Sequence, residues 1–73
     1  MKRQYRLVGL GCADCASKME FAINKLPAVN ECVINFMTTK MTLDAEDSGF
    51  DSVFEQASKI IDNVEPGVRV VRA

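Results

Sequence analysis

Apolar and polar residues begin to alternate close to the start of the chain. In Gln4-Tyr5-Arg6-Leu7-Val8, β-forming side chains recur at period two, which predicts a strand over residues 4–8 with Tyr5 and Leu7 inward. Gly9 and Gly11 break that pattern and supply backbone freedom for a tight loop, with Leu10 between them as a buried plug. Over residues 14–26 the period becomes helical. Ala16, Met19, Ala22, Ile23 and Leu26 share one face, and Pro27 stops the helix. Lys18 and Phe21 fall off that face, so Phe21 is either a peripheral core contact or part of a docking surface. The plainer reading is favoured, because single exposed apolar residues are common.

Residues 29–36 read as a second strand with Cys32, Ile34 and Phe36 on one side and Glu31, Val33 and Asn35 on the other. A short turn over Met37-Thr38-Thr39 leads to a third strand, residues 40–43, with Met41 and Leu43 inward; the short link predicts a hairpin. Residues 44–49 are polar and end in glycine, a loop. Asp51 or Ser52 can then cap a second helix over residues 51–63, and Ser52 with Glu55 fits a capping box. Val53, Phe54, Ala57, Ile60, Ile61 and Val64 form its apolar stripe, Glu65-Pro66-Gly67 ends it, and residues 68–71 form a last strand. The order is β-α-β-β-α-β. Two helices with one apolar stripe each should cover one face of a four-stranded antiparallel sheet, an α+β arrangement in which residues 1–73 make a single domain.

Composition adds limits. A chain of 73 residues buries only about 60% of its unfolded surface, so it needs a well-packed core or staples. With 48% hydrophobic and 26% charged residues, a core is the expected solution. A net charge of −1 gives no reason to expect nucleic acid or an anionic membrane as partner. No apolar run approaches the about 18 residues of a spanning helix, and the N-terminus lacks a signal-peptide core, so a soluble, cytoplasmic chain is expected.

The candidate chemistry lies at the first loop. Cys12 and Cys15 have the Cys-x-x-Cys spacing, Cys32 stands apart, and the chain has no histidine. An odd cysteine count suits a reducing compartment, where this spacing means metal or redox chemistry. With Cys12 on the loop and Cys15 in the first helical turn, the sulfurs can converge. The helix N-terminus should lower their pKa and favour thiolate, the form that binds soft metals. A thioredoxin-like redox centre is a weaker reading: Ala13-Asp14 stands between the cysteines, and the Asp14 carboxylate opposes a low thiolate pKa. Incidental cysteines are the weakest. Two thiolates do not complete a four-ligand structural zinc site, and an open site suits an ion that is handed on. Asp14, between the cysteines, is a candidate third ligand against a plainer role stabilising the helix N-terminus. Cys32 reads as a buried small apolar residue, and Met19, Met37 and Met41 as packing or turn residues.

These residues resemble the heavy-metal-associated domain, found in copper chaperones and at the N-terminus of metal-transporting P-type ATPases. The likeness runs through Gly9-Leu10-Gly11-Cys12-Ala13-Asp14-Cys15-Ala16, Met19-Glu20 with Ile23, Leu26-Pro27-Ala28-Val29, and Val33-Ile34-Asn35-Phe36. It implies the ferredoxin-like βαββαβ sandwich. Leu10 replaces the usual methionine, a volume-conserving change, and Ala28 replaces the common glycine, so that turn should not need a positive φ. In the implied fold the loop carrying Glu65 lies beside the metal loop, which makes Glu65 a second candidate ligand against a plainer role as a solvated carboxylate. The stretch from Lys59 to Val68 resembles the ending of zinc and cadmium ATPase domains. The resemblance therefore implies reversible binding of zinc, cadmium or lead in preference to copper(I), in the N-terminal domain of a transporting ATPase. A free-standing copper(I) chaperone is the alternative. The expected partners are the membrane part of that ATPase or another metal-binding domain. The chain itself is expected to be a monomer and not an enzyme.

Overall fold

The strand β1 spans Lys2–Val8 and forms the inner rail of the sheet, with β3 on one side and β4 on the other. The computed structural model describes residues 1–73. Its elements run β1, α1 (Ala13–Asn24), β2 (Val29–Asn35), β3 (Lys40–Ala45), a single 3₁₀ turn (Asp47–Gly49), α2 (Phe50–Val64) and β4 (Arg69–Arg72). The four strands lie in the order β2-β3-β1-β4, every neighbouring pair antiparallel. This is the α+β, ferredoxin-like arrangement expected from the sequence.

Register explains which residues are inside. Met41 stands opposite both Tyr5 and Ile34, Leu43 opposite Cys32, and Leu7 opposite Val70. Because the side-chain period of a strand is two, this pairing puts the apolar set of three strands on one face. Ala16, Met19 and Ile23 from α1 and Phe50, Val53, Ala57 and Ile61 from α2 cover that face. The sixteen buried residues are hydrophobic, Tyr5 and Cys32 among them, and none is charged. Tyr5 also stacks on Phe54, ring centroids 4.8 Å apart.

Several boundaries differ from those expected. β1 starts at Lys2, because Lys2 pairs with Asp44 and the Met1 ammonium donates to the Ala45 carbonyl at 2.7 Å and meets Asp47 at 2.7 Å. Helix α1 ends at Asn24: the Lys25 and Leu26 N–H groups bond the Ala22 and Ile23 carbonyls, a tightened last turn that leaves Leu26 beyond the helix. β2 ends at Asn35, whose Oδ1 accepts from the Met37 and Thr38 N–H groups and folds the chain into the turn. Phe36 is therefore a half-buried turn residue. Thr39 closes that turn at φ 56°, the one non-glycine residue with positive φ; Ala28 needs none, as its identity suggested.

The expected loop over 44–49 is shorter than it reads, since β3 continues to the fully buried Ala45. The capping box is not formed. Burying Phe50 starts α2 one residue early, with Gly49 as a cap that makes no side-chain bond, so Ser52 lies inside the helix and its hydroxyl accepts from Gln56 at 3.3 Å. Val68 is buried but belongs to the turn before β4, where its N–H bonds the Glu65 carbonyl. Met37 and Phe21 are exposed, and Phe21 carries the Lys25 ammonium over its ring at 4.4 Å, so it is not a peripheral core contact.

Candidate metal centre

The loop between β1 and α1 is held from two sides. Leu10 fills the space beneath it as expected, only 7% exposed. Gly9 has φ +93°, and a Cβ there would sit 3.5 Å from the Gly67 carbonyl oxygen, so two distant loops touch through their backbones. Gly67 itself has φ +97°. Gly11 does not use the freedom expected of it: its φ is not positive, and a Cβ would meet nothing within 4 Å.

Cys12 caps α1. Its backbone is extended, its carbonyl accepts from the Ala16 N–H at 3.0 Å, and its sulfur accepts from the Cys15 N–H at 3.2 Å. One of the free N–H groups of the first helical turn, that of its third residue, is thus spent on the Cys12 sulfur. Both sulfurs belong to free, half-buried cysteines one helical turn apart. The Cys15 thiol departs from the expectation of a lowered pKa: it is pushed up to about 11. Its hydrogen bond with Cys12 is the largest cause, followed by burial and by the negative charges of Cys12 and Glu65, against which only Lys18 acts. The hydrogen bond and the partly buried setting favour the protonated thiol, and the nearby negative charges add to them. Any cation bound by this sulfur at neutral pH would have to displace its proton.

The two candidate carboxylates are placed differently. Asp14 is exposed and pairs with Lys18 at 3.2 Å, an i,i+4 ion pair on the outer side of α1 that holds the lysine protonated. Glu65 crosses from the far end of the chain to the loop that carries Cys12. Its Oε2 accepts from the Gly11 N–H at 3.4 Å, while its Oε1 is buried without a hydrogen-bond partner. The chain assembles no group of three cysteine, aspartate or glutamate side chains ready to hold an ion. What it presents is a pair of thiols with one carboxylate leaning on their loop. Cys32 is not among them: it is 2% exposed in the core, and burial pushes its thiol up to about 12. Lys18 is the member that sequence reasoning placed merely off the apolar face, although its i,i+4 spacing from Asp14 was a usable signal.

The family model of the heavy-metal-associated domain matches residues 4–68. Among curated relatives, a cadmium, zinc and cobalt-transporting ATPase of Bacillus subtilis is 30% identical over 70 residues, covering 96% of this chain and 10% of that protein. A transporter of the same description from Helicobacter pylori is 39% identical over 64 residues, covering 88% of this chain and 8% of its own length. The chain thus spans about a tenth of these relatives. Among solved structures, the CopZ metallochaperone superposes with a TM-score of 0.74 at 22% identity, covering 97% of this chain and 100% of that one, a likeness of fold.

Proposed function

The chain belongs to the heavy-metal-associated domain family, and on that premise we propose that it binds a soft heavy-metal cation reversibly through the thiolates of Cys12 and Cys15. The cargo is zinc, cadmium or lead in preference to copper(I). The setting is the cytoplasmic N-terminal domain of a heavy-metal-transporting P-type ATPase, with residues 1–73 acting as one monomeric, non-catalytic unit. Its role is exchange: the ion arrives, displaces protons from sulfur, and leaves for the membrane part of the transporter or for another metal-binding domain.

One observation carries the choice of ion. Glu65 is tethered to the metal loop through Gly11, and its second carboxylate oxygen is buried without a partner. Zinc and cadmium accept more than two ligands and take carboxylate oxygen, whereas copper(I) is content with two thiolates. The cadmium and zinc transporters among the relatives point the same way. The copper(I) chaperone reading draws on the opposite feature, the absence of a ready three-donor set and the commitment of Asp14 to Lys18.

The test is a competition titration of reduced protein with Cd²⁺, Zn²⁺ and Cu(I). Binding should disappear in Cys12→Ser/Cys15→Ser, and a double variant that binds as tightly as the parent ends the proposal. Glu65→Ala should weaken Cd²⁺ about tenfold or more, the scale of losses around metal sites, and leave Cu(I) unchanged. A loss confined to Asp14→Ala would move the third ligand to the helix N-terminus. No loss in either variant, with Cu(I) bound most tightly, would favour the chaperone.

A further inference from the structure

β2 is an outer strand, paired with β3 alone, and its free edge is closed by two side chains of α1. The Asn24 carboxamide donates to the Cys32 carbonyl at 2.8 Å and accepts from the Cys32 N–H at 2.9 Å. That is the pair of bonds a neighbouring antiparallel strand would exchange with one residue. Two residues on, a Glu20 carboxylate oxygen accepts from the Ile34 N–H at 2.7 Å. The match has a geometric basis, since four helical residues rise about 6 Å and two strand residues about 6.6 Å. Asn24 also donates to the Glu20 carbonyl at 2.8 Å, which orients its amide.

The opposite edge is protected in another way. β4 is four residues long with an arginine at each end, and short charged edges resist pairing. β2 is Val-Asn-Glu-Cys-Val-Ile-Asn, with one charge and no lysine, arginine or proline. Its register irregularity between Val29 and Glu31 disturbs only its first residues. Val33 and Ile34 favour strand pairing, and Val33 is exposed. Antiparallel pairing of two copies about Cys32 would set Val33 opposite Glu31 of the second copy and oppose no like charges, so no charge repulsion keeps a second copy of the strand away.

We propose that Glu20 and Asn24 hold the β2 edge shut against strand addition by a second copy of this chain. They do so by occupying the outward N–H and C=O groups through which such a copy would attach. The role is independent of the metal, so it is tested on reduced, metal-free protein.

Two measurements decide it. Amide exchange in the parent should be about tenfold slower or more at Cys32 and Ile34 than at Val70 and Arg72, one hydrogen bond's worth of protection. By strand alternation from the Ala73 N–H, which bonds Gln4, those two β4 amides face away from β1. In sedimentation, Glu20→Ala/Asn24→Ala should associate to dimers with rising concentration, with protection at Cys32 and Ile34 returning in the dimer. Glu20→Gln, which keeps the acceptor, should remain as the parent is. Parent amides at Cys32 and Ile34 that exchange as fast as those of β4 overturn the proposal, as does a folded double variant that stays monomeric at millimolar concentration. Should the double variant not fold, Asn24→Ala alone, which frees the Cys32 N–H and carbonyl without adding a charge, should dimerise at higher concentration; a strictly monomeric Asn24→Ala overturns the proposal equally.

Discussion

Gly9 and Gly11 look equivalent in the chain and are not. Gly9 occupies the left-handed region with the Gly67 carbonyl nearby, whereas Gly11 has an ordinary backbone and open space around it. Gly9→Ala should cost about 1–2 kcal/mol in denaturant unfolding, and Gly11→Ala should be near neutral. Cys32 makes a prediction in pH. Its folded pKa of about 12 lies above the ordinary 9.0, so the folded state favours the protonated thiol. The stability it contributes is complete below pH 9 and is lost as pH rises through 12. Over that window the parent should lose about 1.4 kcal/mol per pH unit from this residue, and Cys32→Ala should lack that component of the slope. The inward position of Cys32 was legible from its period-two company with Ile34. The raised Cys15 thiol was not, because the Cys12 hydrogen bond and the burial that chiefly raise it exist only once the loop is packed, with Glu65, fifty residues away, adding to them.

At the scale of elements, all four strands and both helices follow from periodicity, and the errors lie at their ends. Ends are set by local contests that a pattern does not rank. At α2, burying Phe50 outweighed the capping box, since a phenylalanine side chain gains about 1.5–3 kcal/mol on burial and a cap about 1. Ser52→Ala should therefore change thermal stability by less than about 0.5 kcal/mol; a loss near 1 kcal/mol would show that the hydroxyl caps after all. At α1 the apolar pattern runs on to Leu26, but the last turn tightens after Asn24 and Leu26 reaches the core from outside the helix. Asn24 is polar and sits on the helix surface, so nothing in the pattern marks it as a partner for β2.

The whole molecule brings two loops far apart in sequence to one place. The loop after β1 and the turn before β4 meet because β1 and β4 are antiparallel neighbours, with Val8 opposite Arg69. This is how Glu65 comes to the Gly11 N–H, and why metal occupancy should be felt by the fold rather than by one loop. A cation bound to the native state alone at a hundred times its Kd adds about 2.7 kcal/mol. For a chain of this size that is a rise of roughly 10 °C or more in melting temperature. Cadmium should produce it in the parent and not in Cys12→Ser/Cys15→Ser, and the size of the rise should shrink in Glu65→Ala.

The sequence by itself determined the element order, the inward face of each strand and helix, and the junction of strand and helix that carries Cys12 and Cys15. Each of these rests on local periodicity or on spacing within a single turn. Only the tertiary structure decided the rest: that Cys12 caps α1 with its sulfur, that Glu65 reaches the Gly11 N–H while Asp14 turns to Lys18, and that α1 closes the edge of β2. Those outcomes depend on which distant backbone groups the packed sheet leaves unpaired, and no local pattern encodes them.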